Sequence, residues 1–277
     1  MHELLLYGQV PAARHDQVLR ILSGLAAMQP RRILQRCILY KPQREPEEPG
    51  LNIRRGGTQN VAVKQAKQTA APSLYYTKLI QKLSDNDFGK ENGLPKSTTQ
   101  PLSANVADGE EPKWSMRWED IPDTGDRGVS IRFTNTTDLV TGNPHEQMIA
   151  AGPNRFVTEY FVEGHRFVLG NVIIFLHRIL HEPGVRSVEE TPKSILPSFA
   201  NLQLLDLSGA YVLEAKVRVQ DFKEASILES GVNELKDFQK QMRGCVELAL
   251  PDRLSLDTRV KYRPPHAAAA SAQNRPR

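Results

Sequence analysis

Cysteine is nearly absent from this chain of 277 residues, which carries only Cys37 and Cys245. Two thiols cannot make a disulfide framework, and their scarcity suits a reducing compartment, cytosol or nucleus. Also missing is any apolar run of the ~20 residues that a membrane-spanning helix needs. The nearest, Val168–Leu180, is interrupted by Asn171, His177 and Arg178, and its β-branched content suits a buried strand. The N-terminal Met1-His2-Glu3-Leu4-Leu5-Leu6 lacks the basic start and long apolar stretch of a secretory signal. Neither a nucleophile elbow of the form Gly-x-Ser-x-Gly, nor a phosphate-binding loop, nor a dinucleotide fingerprint occurs, and no internal repeat is visible. Aromatics are sparse at 6%, and the mean hydropathy of -0.45 is low for a fully compact chain of this length. Part of it is therefore expected to stay unfolded.

What charge there is lies unevenly. The pI is near 9.0, yet residues 1–41 hold six basic against two acidic side chains, and 42–112 hold nine of each. Residues 113–252 carry fifteen basic and twenty acidic, and 253–277 carry six and one. The body is mildly acidic and the positive excess sits at the ends. A nucleic-acid groove concentrates Lys and Arg on a folded face, so direct nucleic-acid binding is not expected of this dispersed pattern.

The order of elements is legible in outline. His2–Val10 reads as a strand stopped by Pro11. A helix follows with Val18, Leu22 and Leu25 on one side, and Arg32–Lys41 alternates as a second strand up to Pro42. Residues 42–112 are punctuated by Pro46, Pro49, Gly50, Gly56, Gly57, Pro95, Pro101 and Pro112. They read as a disordered insertion around one ordered island near 73–83. Arg54-Arg55-Gly56-Gly57 is a single basic patch there, taken as linker.

From Lys113 to Tyr262 the strand pattern is strong and belongs to the same domain as residues 1–41. Trp114, Met116 and Trp118 share a face that should point to a core, and Val129, Ile131 and Phe133 do likewise. Two long apolar runs meet at Glu163-Gly164-His165, read as a hairpin turn. Leu202–Leu207 is expected to pair with Tyr211–Gln220 across Ser208-Gly209. On that second strand Leu213, Ala215, Val217 and Val219 face a core, and Glu214, Lys216 and Arg218 face water. A helix from Asp221 to about Arg243 shows an apolar stripe of Leu228, Val232, Leu235, Phe238 and Met242, with Gly244 as its stop. Cys245–Leu250 and Leu254–Tyr262 read as short closing strands, and 263–277 as a disordered tail. About ten strands joined by hairpins, with helices flanking, predict a mainly β (α+β) fold: a many-stranded antiparallel β-barrel.

Chemistry is thin. His177 and His181 have zinc spacing only if helical, and Glu182 follows the second histidine, unlike His-Glu-x-x-His. They are read as polar residues finishing a strand. Cys37 and Cys245 are read as small core residues. Glu159, Glu163 and Glu214, with Lys216 and Arg218, could line a tunnel that holds triphosphate and metal. Such a tunnel is marked by a Glu-x-Glu-x-Lys strand, for which the chain offers only Glu159-x-x-x-Glu163 and Glu214-Ala-Lys216. No metal site, cofactor site or catalytic residue is therefore assigned.

Several stretches resemble a known family. Met1–Val10, then Arg31-Arg32-Ile33-Leu34, Arg117-Trp118-Glu119-Asp120-Ile121-Pro122, Phe156–Tyr160 and Asp252–Val260 look like Mediator of RNA polymerase II transcription subunit 18 in its fungal form. Residues 43–111 are the least similar. The resemblance implies a β-barrel related in shape to triphosphate-tunnel enzymes without their active site. It implies a non-enzymatic nuclear coregulator of RNA polymerase II, paired with Mediator subunit 20 and tethered by the C-terminal helix of subunit 8. A partner helix would lay its apolar face on the barrel, with Tyr160, Phe161 and Phe167 as candidate anchors. The alternative reading is a metal-dependent triphosphate-tunnel phosphohydrolase.

Overall fold

The computed structural model describes residues 1–43, 74–89, 113–139, 143–150, 152, 154–184, 191–220 and 222–261. The expectations for 44–72, 90–111 and the tail 263–277 lie outside these residues. Among the described residues nine strands are formed: β1 (His2–Val10), β2 (Arg31–Pro42), β3 (Thr77–Leu83), β4 (Trp114–Glu119), β5 (Ser130–Leu139), β6 (Asn154–Leu169), β7 (Val172–His181), β8 (Gln203–Leu204) and β9 (Tyr211–Val219). Three α-helices accompany them among the described residues: α1 (His15–Ala26), α2 (Pro144–Ala150) and α3 (Ala225–Gln241).

Eight strands close on themselves in the order β6-β2-β3-β4-β5-β1-β9-β7, because β7 pairs back onto β6. Every pairing is antiparallel. Closure gives each stave one face toward a lumen and one toward the outside. Helices decide which is which. The α3 stripe of Leu228, Val232, Leu235, Phe238 and Met242 is buried against Leu4 and Leu6 of β1 and Leu213, Ala215, Val217 and Val219 of β9. α1 lays Val18 and Leu22 into the same cluster, over Phe167 of β6 and Ile174 and Leu176 of β7. The largest hydrophobic core therefore lies outside the barrel wall. A smaller one joins Ile38, Tyr40, Leu79 and Trp114 to Met148 of α2. The alternation of the sequence thus encodes an apolar exterior under helices and a polar interior.

Several expectations are corrected. Glu163-Gly164-His165 does not turn: β6 runs straight through it, and the hairpin turns at Gly170-Asn171. Gly170 has φ +57 at the first central position of a two-residue loop, the type II′ requirement. Gly164 serves a different need. A Cβ there would lie 2.4 Å from the Leu176 carbonyl oxygen and 2.6 Å from His177 Cβ, so only glycine lets β6 and β7 approach. β8 is two residues long and pairs with Leu180 and His181 of β7, not with β9. Leu205 and Leu207 stay exposed, leaving no apolar face to anchor a longer strand. The segments at 245–250 and 254–262 are not staves. They make single bridges, Ala249 to Tyr7 and Arg259 to Tyr75, around a short 3-10 turn at Arg253–Leu256. Thr77–Leu83 is a full stave between β2 and β4, and Phe88 of the turn after it packs near Phe161 and Phe199.

Replacing Gly164 with alanine is expected to lower stability by roughly 1–3 kcal/mol, because a methyl group must displace backbone. A urea titration checks this, and Gly125→Ala, where a Cβ meets nothing within 4 Å, is the neutral control.

Candidate functional site

The lumen is charged. On β9 the face carrying Glu214, Lys216 and Arg218 was expected in water; register places it inside, opposite Tyr7, Leu5 and Glu3 of β1. The physical reason is that α3 occupies the apolar face from outside, so the polar face can only close inward. From the strands on the other side of β1 come Arg132 of β5, Arg117 and Glu119 of β4 and Lys78 of β3. Glu3 is fully buried and takes Arg117 Nη2 at 2.6 Å, Arg132 Nη2 at 3.4 Å and Arg218 Nε at 3.5 Å. Glu119 takes Arg117 Nε at 2.7 Å, Arg132 Nη1 at 3.1 Å and Lys78 Nζ at 3.1 Å. Glu214 takes Lys216 Nζ at 2.7 Å and accepts from the Tyr7 hydroxyl at 3.2 Å. Five cations thus surround three carboxylates.

The consequences for ionisation are large. Burial opposes the charge of Glu119, but Lys78, Arg132 and Arg117 outweigh it and hold the carboxyl far below its usual range. The same contest at Glu214, settled by Lys216, brings that group down to about 2. Glu3 is lowered too, burial being outweighed by Lys216, Arg117 and Arg132. Tyr7 is pushed up, by burial first and Glu214 second. Beside the ion cluster, burial raises the Cys37 thiol to about 11 and raises Tyr160, its hydrogen-bond partner. A thiol held protonated in this way is a poor nucleophile.

The other tunnel candidates separate from the cluster. Glu159 and Glu163 lie on the outer face of β6. Glu159 accepts from Arg36 Nε at 3.0 Å, and Arg36 is fully buried and also donates to the Lys193 carbonyl. Glu163 sits between Arg32 at 2.9 Å and Arg178 at 2.9 Å. His177 and His181 stand four apart on a strand, which separates them by about 13 Å and rules out a shared ion. Burial lowers the pKa of His177, whose ring stacks on Phe175 at 4.5 Å. No group of three metal-ligating side chains occurs among the described residues.

Two of the three proposed anchors are buried within the chain, and Tyr160 is half-buried. Tyr160 faces the lumen beside Cys37. Phe161 is 2% exposed and packs with Leu180 and Leu196, and Phe167 is fully buried beneath α1. Burial within the chain leaves Phe161 and Phe167 no surface to offer a partner.

A feature not foreseen is a chain of aromatic rings across the outer face. Tyr75 stacks on Trp118 at 5.0 Å, Trp118 meets Phe133 at 5.4 Å, Phe133 meets His2 at 5.2 Å, and His2 stacks on Phe222 at 4.0 Å. These rings come from five separated stretches. Only the cross-strand registers Trp118 to Asn135 and His2 to Phe133 bring them together.

Two measurements check the ionic lumen. Glu119→Gln leaves Lys78, Arg117 and Arg132 facing one another in a site that is 6% exposed, and is expected to cost about 3–5 kcal/mol. Because Glu3, Glu119 and Glu214 have folded-state pKa values below the ordinary 4.5, the stability they supply is present above pH 4.5. It should fall as the pH drops toward about 2, the value for Glu214. Urea midpoints measured from pH 7 downward should stay level to about pH 5 and then decline.

Comparison with known proteins gives one consistent result. A family described as Med18 protein matches residues 2–259. Mediator of RNA polymerase II transcription subunit 18 of Aspergillus oryzae is 35% identical over 277 residues, covering 94% of this chain and all of that protein. The subunit 18 of Aspergillus niger is 36% identical, with the same coverage. Among solved structures, a chain in the Schizosaccharomyces pombe Mediator head module superposes with a TM-score of 0.61 at 17% identity, covering 91% of this chain and 99% of that one. With matches this long at this identity, and with the same barrel, the chain belongs to the Mediator subunit 18 family.

Proposed function

We propose that this protein is a non-catalytic subunit of the Mediator head module in the nucleus, acting in RNA polymerase II transcription through protein contacts. The observation that carries the reading is the family match over residues 2–259, joined by 35% identity along the full length of a Mediator subunit. The specific partners we infer are Mediator subunit 20, as heterodimer, and the C-terminal helix of subunit 8, as tether.

The lumen chemistry supports work done by the outside. Metal-assisted phosphoryl transfer needs carboxylate oxygens free to hold a cation and cations free to meet phosphate. Here the buried lumen carboxylates Glu3, Glu119 and Glu214 are each already bonded to arginine or lysine. Those ion pairs fill the tunnel and brace its wall.

Co-expression with subunit 20 and the subunit 8 C-terminal segment is expected to give a copurifying complex and to raise the thermal midpoint, since a partner that binds only the folded state stabilises it. A fully stable monomer that ignores both would overturn the proposal. Phosphate release from tripolyphosphate or nucleoside triphosphate with Mg²⁺ or Mn²⁺ would show a catalyst instead.

A further inference from the structure

At one mouth of the barrel two arginines stand directly opposite one another in the register. Arg31, the first residue of β2, is the direct cross-strand partner of Arg166 on β6. Register puts both on the lumen side, in line with Ile33 and Gly164. Directly opposed residues on antiparallel strands are about 5 Å apart at Cα, and like charges so placed repel. Among the described residues neither arginine has an acidic partner, and Arg166 Nε is buried without a hydrogen bond. Nearby carboxylates are committed elsewhere: Glu163 to Arg32 and Arg178 across the wall, Glu214 to Lys216 and Tyr7. Arg117, Arg132 and Arg218 have each found a carboxylate; these two have not.

We infer that the Arg31–Arg166 pair seats an acidic side chain carried by an amphipathic segment of a partner protein. The inference rests on the head-module reading above and names the chemistry of one contact within it. Charge complementarity selects an anion. The surroundings select a peptide: Arg166 is flanked on the lumen side by Val168, 39% exposed, and by the half-buried Phe175 and Ile173 of β7. One carboxylate can bridge two guanidinium groups with charge-assisted hydrogen bonds while neighbouring apolar side chains cover the valine and the rings. A polyphosphate or nucleic-acid backbone carries several charges and no apolar face. To neutralise it, Lys216, Arg132 and Arg117 would have to abandon Glu214, Glu3 and Glu119.

The test uses the full chain and a fluorescent peptide of alternating glutamate and leucine, with polylysine–leucine and tripolyphosphate as comparison probes. Wild type is expected to bind the acidic peptide, and Arg31→Gln with Arg166→Gln to weaken it by about tenfold or more, the scale of losing a charge-assisted hydrogen bond. Arg127→Gln with Arg243→Gln removes the same net charge from exposed positions elsewhere and is expected to leave binding unchanged. Arg166→Glu alone should raise the thermal midpoint of the free chain, since it turns a repelling pair into an attracting one, while abolishing peptide binding. No binding by wild type, or equal weakening by both double variants, overturns the inference. Tighter binding of tripolyphosphate, lost in the same variant, also overturns it, in favour of a phosphate ligand. A variant that fails to bind the peptide yet still copurifies with the head subunits leaves the family reading standing. Failure of wild type to copurify would fall on that reading alone.

Discussion

A narrow closed barrel has to fill its own centre, and this one fills it with charge. Glu3 and Glu119 each hold several cations contributed by β3, β4, β5 and β9, so β1 is tied to its neighbour β5 through Arg132 and to the next stave, β4, through Arg117. An apolar filling would be softer about register, because one methyl group packs against many others. A guanidinium bonded through two nitrogens to two different carboxylates is not. Ionic filling carries a large desolvation cost, which is offset only while each carboxylate keeps its partners, so the lumen either closes completely or not at all.

That choice explains where the helices sit. With polar side chains turned inward, the apolar halves of β1, β6, β7 and β9 face out and must be covered. α1 and α3 cover them with stripes spaced three and four apart. Gly231 of α3 brings the helix within contact of Leu4 and Val217. The result is a β-barrel whose main hydrophobic layer is a sandwich between sheet and helix. What remains exposed on the outside, Phe133 in the ring chain and the loop residues Leu205 and Leu207, is then surface left over after the helices have taken their share.

Much of the architecture could be read from the sequence because period is a local property. The stripe of α3, the alternation of β4, β5 and β9 and the stop at Pro42 each depend on a dozen residues or fewer. Errors arose where the answer depended on a partner strand. Glu163-Gly164-His165 looks like a turn because glycine interrupts two apolar runs, yet its cause is the Leu176 carbonyl on the neighbouring strand. The charged face of β9 was assigned to water by the usual rule for half-buried strands. Only closure of the sheet, together with α3 on its other side, reverses it. The lumen cluster was half visible: Glu214 and Lys216 are on one strand at period two, but Glu3, Arg117, Glu119 and Arg132 come from three strands that no spacing connects. Phe161 and Phe167 belong to strands apolar on both faces, and such strands do not say which side a partner could reach.

The pairing of β1 sets the order in which the molecule can be finished. His2–Val10 precedes every other strand of the barrel in the chain, yet its two neighbours are β5 and β9, and β9 ends at Val219. Until translation has passed that residue, one side of β1 has no native mate, and Leu4, Leu5 and Leu6 await both barrel and helix. The nascent chain therefore depends on whatever shields its leading strand, and truncation anywhere before β9 leaves a curved, open ribbon with an adhesive seam.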